Sequence, residues 1–196
     1  MACLRSASAA VPLLRCRQLT AALDCLAIHL HHRYPVWMSR GPPAVFSLWA
    51  ELPALLLVYP LVTDLWFFCA HRLMHHRLLY ARFHKMHHRF KAPEAICGLY
   101  CTPVEMMFVN ACALMSGPVM LGSHPYTWGL WAAVSLNSVA MSHSGYTQVG
   151  AEGHDLHHLV FNANYGVVLP HIWDRLYGSY FDAYLDFRKY KKRSVA

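Results

Sequence analysis

Two long apolar stretches, separated by a polar segment, dominate the pattern of the chain. The first, residues 44–70, is interrupted by two acids (Glu51 and Asp64) and two prolines (Pro53 and Pro60). It is long enough for a helix across a bilayer, which needs about 20 apolar residues. Because proline removes a helix hydrogen bond, the two prolines predict a kink or a break in that helix.

The second apolar stretch, residues 103–141, is predicted to form a helical hairpin. Thr102 at the N-cap, Pro103 in the first turn and then Glu105 make a favourable helix start, so Glu105 is predicted to be a cap rather than a catalyst. Gly and Pro residues predict breaks at 117–118 and 122–125. They leave two helical pieces of about 17 and 16 residues, each roughly 25 Å long. Such a hairpin would cross, or partly cross, a membrane.

The composition indicates that lipid is part of the solvent. Hydrophobic residues make up 56% of the 196 residues and charged residues only 14%, whereas about 25% of a typical soluble domain is charged. The length allows one domain with a core of its own. We therefore predict an all-α integral membrane protein that contains the hydrophobic hairpin.

The formal net charge of +7 is concentrated in two basic clusters that flank the hairpin. The positive-inside bias places both at the cytoplasmic surface of the membrane, so the hairpin is predicted to return the chain to the side it left. Neither cluster accompanies a nucleic-acid motif, and nucleic-acid binding is not expected. The clusters are Arg72, Arg77, Arg82, Lys85, Arg89 and Lys91, and Arg188, Lys189, Lys191, Lys192 and Arg193.

Residues 1–43 are predicted to be an N-terminal lead-in. Up to Leu23 they contain three arginines, several serines and alanines, and no acid, which resembles a targeting segment. A loosely membrane-associated or unordered lead-in fits the same composition equally well. The following residues, 44–190, are predicted to be one domain.

Histidines are concentrated where the first apolar stretch ends. Six of them fall within residues 71–88, and a further group begins at residue 154. Spacings of three and four residues bring side chains to one face of a helix, so each group is predicted to converge. The three groups are His71 and His75; His84, His87 and His88; and His154, His157 and His158.

Eight imidazoles at these spacings are too many for one four-coordinate zinc and suit two metal ions. His143, which stands alone just after the hairpin, is predicted to be a ninth ligand. His76 turns about 100° away from His75 on a helix, and His124 lies at the far turn of the hairpin. His171 is predicted to be structural, so none of these last three is assigned to the metal site.

Asp64 is an ionisable residue in a strongly apolar stretch, where such groups are costly and usually functional or paired. It lies seven residues before His71 and eleven before His75, within about 20° of both on a continuous helix. We expect its carboxylate to accept a hydrogen bond from the ring N–H of His71 or His75, as carboxylates often do beside metal ligands. The alternative is an acid at the membrane interface.

The three histidine groups resemble the histidine boxes of the fatty acid hydroxylase and sterol desaturase superfamily, over about residues 60–182. Its members are integral membrane enzymes, usually of the endoplasmic reticulum. They hold two non-haem irons and use dioxygen and two electrons to hydroxylate or desaturate a sterol or a fatty-acyl chain. Other positions that resemble the family are Asp64, Arg72, Leu79, Tyr80, Phe83, Lys85, Pro103, Glu105, Ser144, Gly145, Tyr146, Asn164, Tyr165, Gly166, Asp174, Arg175 and Gly178.

The resemblance implies a lipid oxygenase whose dimetal site lies in a helical cap on the cytoplasmic side. It also implies a b-type cytochrome and its reductase as the electron donor. Two alternatives stay open. A sterol desaturase would use the same metals, so the residues do not separate it from a hydroxylase. A non-enzymatic, His-rich metal-handling membrane protein belongs to another class, although such proteins tend to carry histidines in loose tracts.

Overall fold

The computed structural model describes residue 49 and residues 51–91, 94–146, 151–169 and 171–182. These residues form helices, turns and loops and contain no β-strand, which confirms the all-α prediction for this part of the chain. The predicted lead-in (1–43), the second basic cluster (188–193) and the predicted end of the domain near residue 190 lie outside the described residues.

The first apolar stretch forms one helix, α1 (Glu51–Met74). The predicted break at Pro53 or Pro60 is wrong. Both prolines lie within the helix, and a π turn (Ala54–Val58) occupies the residues between them, with the Tyr59 N–H bonded to the Ala54 carbonyl. A π turn relaxes the regular hydrogen-bond ladder, so the chain passes both prolines without ending the helix.

The predicted hairpin is present as α2 (Pro103–Leu121) and α3 (Pro125–Ser142). Gly122 ends α2 in the left-handed conformation with φ 59°, which glycine adopts without strain. Both helices are slightly longer than predicted. The predicted break at residues 117–118 is wrong, because Gly117 and Pro118 lie within α2 without interrupting it. A Cβ at Gly117 would lie 2.8 Å from Cδ1 of Tyr59. Gly117 therefore allows α1 and α2 to approach closely, and it does not form a turn.

The hairpin and α1 pack around a small core at the end away from the histidines. Leu55 and Tyr59 of α1 meet Trp131 of α3 there. Elsewhere these helices expose large apolar side chains, among them Leu56 (63% exposed) and Leu57 (71% exposed). Both α1 and α2 are long and apolar enough to cross a membrane.

The remaining described elements are short and lie around the ends of α1 and α3 that carry histidine. They are a π turn (Tyr80–His84), two 3₁₀ turns (His87–Arg89 and Ala95–Leu99), and the helices α4 (Glu152–Val160) and α5 (Ile172–Leu176). Because α3 returns the chain to the end at which α1 ends and α2 begins, the third histidine group, on α4, lies beside the first two.

Candidate metal centre

The structure brings all nine predicted ligands together, in two clusters. Within each cluster the available ring nitrogens all lie within 4.8 Å of one another. We call them the five-histidine cluster and the four-histidine cluster. The first contains His71, His75, His84, His88 and His157, and the second contains His87, His143, His154 and His158.

The Nε2 atoms of the five-histidine cluster face a common point. The Nε2 of His84 lies 3.1 Å from that of His71, 2.9 Å from that of His75 and 3.0 Å from that of His88. The Nε2 of His157 lies 3.1 Å from those of both His75 and His88. Two nitrogens at right angles around a metal, each about 2.1 Å from it, are about 3.0 Å apart. The spacing is therefore that of ligands around one metal ion.

The four-histidine cluster is built in the same way around His143. The Nε2 of His143 lies 2.9 Å from that of His154 and 3.4 Å from that of His87. The Nε2 of His158 lies 3.2 Å from that of His154. His143 follows α3 directly, so the end of the hairpin contributes a histidine to this second cluster.

The second and third histidine groups are each divided between the two clusters. Residues four apart stay together: His84 with His88 in one cluster, and His154 with His158 in the other. His87 and His157, each three residues after the first member of its group, belong to the opposite cluster. The expectation that each group converges on one point is therefore wrong. On a helix, positions i+3 and i+4 lie about 100° apart, which is enough to aim neighbouring rings at two different metals.

The ring tautomers support a cation between the imidazoles. A carbonyl or carboxylate oxygen can only accept, so Nδ1 of His71 donates to the Tyr165 carbonyl (2.8 Å) and Nδ1 of His84 donates to Oε1 of Glu105 (2.8 Å). A neutral imidazole has a single N–H, which leaves both Nε2 atoms as lone pairs only 3.1 Å apart. Two lone pairs repel at that distance, whereas a metal ion between them would bind both.

Burial keeps the imidazoles in the neutral form that binds metal. Burial, together with nearby imidazoles, lowers the pKa of His75 to about 2 and that of His158 to about 3. Burial lowers the pKa of His143 to about 4, although its hydrogen bond to the Val139 carbonyl acts in the opposite direction. At neutral pH these rings are unprotonated, so their Nε2 lone pairs are free to bind a cation.

Asp64 does not have the contact that the sequence predicted. Its Oδ1 accepts from the backbone N–H groups of Val167 (3.1 Å) and Val168 (2.9 Å), while the ring N–H of His71 goes to the Tyr165 carbonyl. Asp64 and His71 lie within about 20° of each other around α1, but their separation of seven residues corresponds to a rise of about 10 Å along the helix. That separation is too great for a direct hydrogen bond between Asp64 and His71.

Glu105 has the role that was predicted for Asp64. Its backbone does form the predicted helix start, since Thr102 Oγ1 accepts from the Glu105 N–H. Its buried side chain, however, accepts from His84 instead of acting only as a cap. The sequence does contain a signal for this role, because Glu105 is an acid at the start of an apolar helix and is close in sequence to a histidine group. Its contact with His84, across 21 residues, depends on the tertiary fold.

The three histidines that were not assigned to the metal site from the sequence lie outside both clusters. His76 is exposed, and the ring of His124 accepts from the Tyr126 N–H at the start of α3. Nδ1 of His171 lies 3.4 Å from Oδ2 of Asp174. Each therefore has a local position that explains it without a metal.

Aromatic rings line one side of the five-histidine cluster. The Tyr80 ring lies 5.6 Å from the His75 ring, and the Phe161 ring lies 4.9 Å from the His88 ring. Phe161 has a φ of 66°, which is uncommon for a bulky residue. Among the nine clustered histidines, His75 alone is not fully buried, so this aromatic side is the more accessible face of the two clusters.

Two clusters of buried imidazoles beside apolar helices define a class of helical proteins able to hold two metal ions. Within that class, the chain belongs to the fatty acid hydroxylase family, whose model matches residues 56–179. This confirms the resemblance that the histidine groups indicate.

Three relatives illustrate what the chain is similar to. It is 37% identical over 122 residues to fatty acid hydroxylase domain-containing protein 2 of Homo sapiens, covering 60% of this chain and 37% of that protein. It is 30% identical over 138 residues to methylsterol monooxygenase 2-2 of Arabidopsis thaliana, covering 64% and 52%. It is 33% identical over 129 residues to methylsterol monooxygenase 1 of Rattus norvegicus, covering 60% and 43%.

The chain thus spans between 37% and 52% of the length of these relatives. The matched part contains all the histidines of both clusters, since they lie between residues 71 and 158. No solved structure matches the chain.

Proposed function

We propose that this chain is a membrane-bound diiron oxygenase that oxidises a sterol or a fatty-acyl lipid with dioxygen and two electrons. The observation that carries the proposal is the pair of imidazole clusters, whose Nε2 lone pairs face each other at about 3 Å, the spacing expected around a bound metal. Nine neutral imidazoles bind divalent iron without adding negative charge to the ligand set.

Two bound irons would supply the activation of dioxygen that attack on an unactivated C–H bond needs. The protein's own residues orient and enclose them. Glu105 and the backbone carbonyl of Tyr165 hold two ligand rings in the tautomer that leaves Nε2 free. The buried position of the four-histidine cluster excludes water, which limits the loss of reduced oxygen species to solvent.

The substrate class follows from the apolar surroundings and from the relatives. Two of the three relatives described above are named methylsterol monooxygenases, so a methyl-bearing sterol is the first substrate to test, followed by a fatty-acyl lipid. Tyr80 and Phe161 provide an aromatic surface next to the five-histidine cluster, against which such a lipid would pack. Hydroxylation is proposed ahead of desaturation because these two relatives are named as monooxygenases.

Electrons are proposed to come from a b-type cytochrome and its reductase. The first basic cluster is exposed throughout, and it surrounds the second histidine group in the sequence. Arg77, Arg82 and Lys85 lie within ten residues of His84. An acidic partner docked there would gain steering by charge complementarity and would lie close to the metals.

The proposed location is the membrane of the endoplasmic reticulum. With α1 and α2 crossing the bilayer, the histidine clusters and Lys91 would lie on the cytoplasmic side, and the turn at His124 would lie toward the lumen. Labelling of single cysteines in sealed vesicles tests this topology. Opposite accessibility of positions 91 and 124 is expected, and equal accessibility from the outside would contradict it.

The decisive functional experiment compares lipids from cells that express the wild-type chain, the His75→Ala variant or the His76→Ala variant. We expect the wild type and His76→Ala to deplete one sterol or fatty-acyl lipid and to accumulate its oxygenated product with ¹⁸O from labelled dioxygen. The His75→Ala variant should do neither. Unchanged lipids together with altered cellular metal content in the wild type would contradict the oxygenase and favour a metal-handling protein.

A further inference from the structure

Two fully buried carboxylates, Asp64 on α1 and Asp174 on α5, are not explained by the metal ligands themselves. Both are 0% exposed, and buried carboxylates are costly unless they are well hydrogen-bonded. They come from helices far apart in the sequence, yet both accept hydrogen bonds from the same segment, residues 163–168. We call this segment the bracket loop.

The two carboxylates accept from four consecutive backbone N–H groups of the bracket loop. Asp174 accepts from Tyr165 N–H through Oδ1 (2.9 Å) and from Gly166 N–H through Oδ2 (2.8 Å). Asp64 accepts from the next two N–H groups, those of Val167 and Val168, through Oδ1 alone. The loop is therefore held on both sides by hydrogen bonds from its backbone N–H groups to buried carboxylates.

The carbonyls of the same loop hold two rings of the five-histidine cluster. The Tyr165 carbonyl accepts from Nδ1 of His71 at 2.8 Å, and the Ala163 carbonyl accepts from Nδ1 of His157 at 2.6 Å. His71 belongs to α1 and His157 to α4, so the bracket loop aligns ligands from two separate helices. Its N–H groups donate hydrogen bonds to carboxylates, and its carbonyls accept hydrogen bonds from imidazoles.

The rings of the four-histidine cluster have no Nδ1 hydrogen bond to this loop, although Asn164 of the loop donates to the Gly153 carbonyl at the start of α4. The cluster's two rings with an Nδ1 partner, His143 and His158, donate to the carbonyls of Val139 and Phe90. Both carbonyls lie outside residues 163–168. Any change in the bracket loop should therefore reach one cluster and spare the other.

We propose that Asp64 and Asp174 form a carboxylate clamp that positions His71 and His157 through the bracket loop and so controls metal binding at the five-histidine cluster. The proposal rests on the dimetal site of the proposed function. Burial raises the pKa of Asp174, but hydrogen bonds from His171, from the Gly166 N–H and from Ser179 outweigh it and place the pKa below its ordinary value. Asp174 is thus an anion and acts only as an acceptor.

The two carboxylates differ in a way that predicts unequal effects. Asp174 uses both oxygens, so Asp174→Asn would place an amide NH₂ against a backbone N–H that needs an acceptor. Asp64 uses one oxygen for both N–H groups, so the amide oxygen of Asp64→Asn keeps an acceptor in place. We therefore expect Asp174→Asn to have the larger effect, and both variants to act on the same metal.

The test is cobalt(II) titration of the purified, metal-free full chain in detergent, read by metal per chain and by the visible spectrum. His71→Ala defines the spectrum that remains when only the four-histidine cluster is filled. Asp174→Asn should reproduce that spectrum, with one cobalt bound as in the wild type and the other 10- to 100-fold more weakly, the usual effect of removing a group that orients a ligand. Asp64→Asn should show the same pattern to a smaller degree.

The control is Asp155→Asn, which removes a half-buried acid from α4 between two ligands and should leave both cobalt sites unchanged. Equal weakening of both sites in the Asp174 and Asp64 variants, or two undiminished sites in both, would overturn the clamp. If Asp174→Asn does not fold, Asp64→Asn decides alone by the same criteria. A wild-type chain that binds fewer than two cobalt ions would instead contradict the dimetal site itself.

Discussion

The two histidine clusters differ in how their rings are held. In the five-histidine cluster, three rings donate Nδ1–H. The acceptors of His71 and His84, Tyr165 and Glu105, are distant in sequence, whereas that of His157, Ala163, is six residues away. In the four-histidine cluster, His143 and His158 have carbonyl partners. Within the described residues, Nδ1 of His87 and Nδ1 of His154 have none, and neither does Nδ1 of His88 in the five-histidine cluster.

The clusters also differ in access. Every ring of the four-histidine cluster is buried, whereas His75 in the five-histidine cluster is only half-buried and lies beside Tyr80. The more accessible cluster is thus the one whose rings have more outside partners. In the proposed diiron site, hydrogen bonds would maintain the ligand geometry at the more accessible cluster, and enclosure by protein would do so at the other.

The largest expected effect comes from removing one ligand of each cluster from the same helix. His157→Ala should lose the metal of the five-histidine cluster and His154→Ala that of the four-histidine cluster, and each should reduce lipid oxidation to background. Metal content and product formation in the two variants provide the measurement. His76→Ala, which removes an exposed histidine, should keep both metals and most activity.

An equally inactive His76→Ala variant would show that exposure does not separate ligands from bystanders. Retention of both metals in His157→Ala or His154→Ala would show that the removed histidine is not a required ligand, and loss of both metals in either variant would show that the two clusters are not independent metal sites.

Glu105→Gln should have the next largest effect, because it removes the charged acceptor of the His84 ring. We expect a 10- to 100-fold loss of metal affinity or activity, confined to the five-histidine cluster. Glu152→Gln is the matched control, since Glu152 also lies in the first turn of a helix and should not affect either metal. A loss of the same size in both variants would mean that Glu105 acts only through its helix.

Acid should destabilise the metal-free protein. The buried rings of His143 and His158 have pKa values of about 4 and about 3, whereas an unfolded histidine has a pKa of about 6.5. Above pH 6.5 both states are neutral. Below it the unfolded chain takes up protons that the folded chain does not, so the free energy of unfolding falls, by up to about 1.4 kcal/mol per pH unit for each such ring.

Thermal unfolding of the metal-free protein between pH 7.5 and 4.5 measures this loss. A melting temperature that stays constant across that window would contradict the burial of neutral rings.

The smallest expected effect concerns Gly166 in the bracket loop. A Cβ at this position would lie 3.2 Å from Oδ2 of Asp174, so Gly166→Ala should shift the loop by a few tenths of an ångström. We expect weaker metal binding at the five-histidine cluster, by less than in Glu105→Gln. Gly129→Ala is the control, because a Cβ there meets nothing within 4 Å and should stabilise α3 slightly. Identical metal affinities in both variants would show that the loop tolerates the side chain.

The meeting of these histidines could be predicted from the sequence because the spacing within each group is a local feature. All nine predicted ligands lie in the two clusters, although His84 closes a π turn and His87 begins a 3₁₀ turn instead of sharing one α-helix. Both irregular turns keep the approximate direction of nearby side chains. The hairpin was predictable for a similar reason, since residues 122–125 contain the signals that end one helix and begin the next.

What the sequence did not show are contacts between distant residues. The role given to Asp64 belongs to Glu105, because angular register on a helix says nothing about distance along its axis. The division of nine ligands into five and four depends on α4 meeting the end of α1, more than 80 residues away. The clamp on the bracket loop joins residues 103 and 104 positions apart, and no local pattern indicates such a pair.

The most direct test of the central claim, that one chain holds two irons in two imidazole clusters, is a count of iron per purified chain. The protein should be loaded anaerobically with iron(II) under reducing conditions, and iron and zinc should be measured together with protein concentration. We predict close to two irons per chain in the wild type and close to one in His157→Ala. A single tightly bound zinc, with no iron taken up under these conditions, would contradict the diiron site.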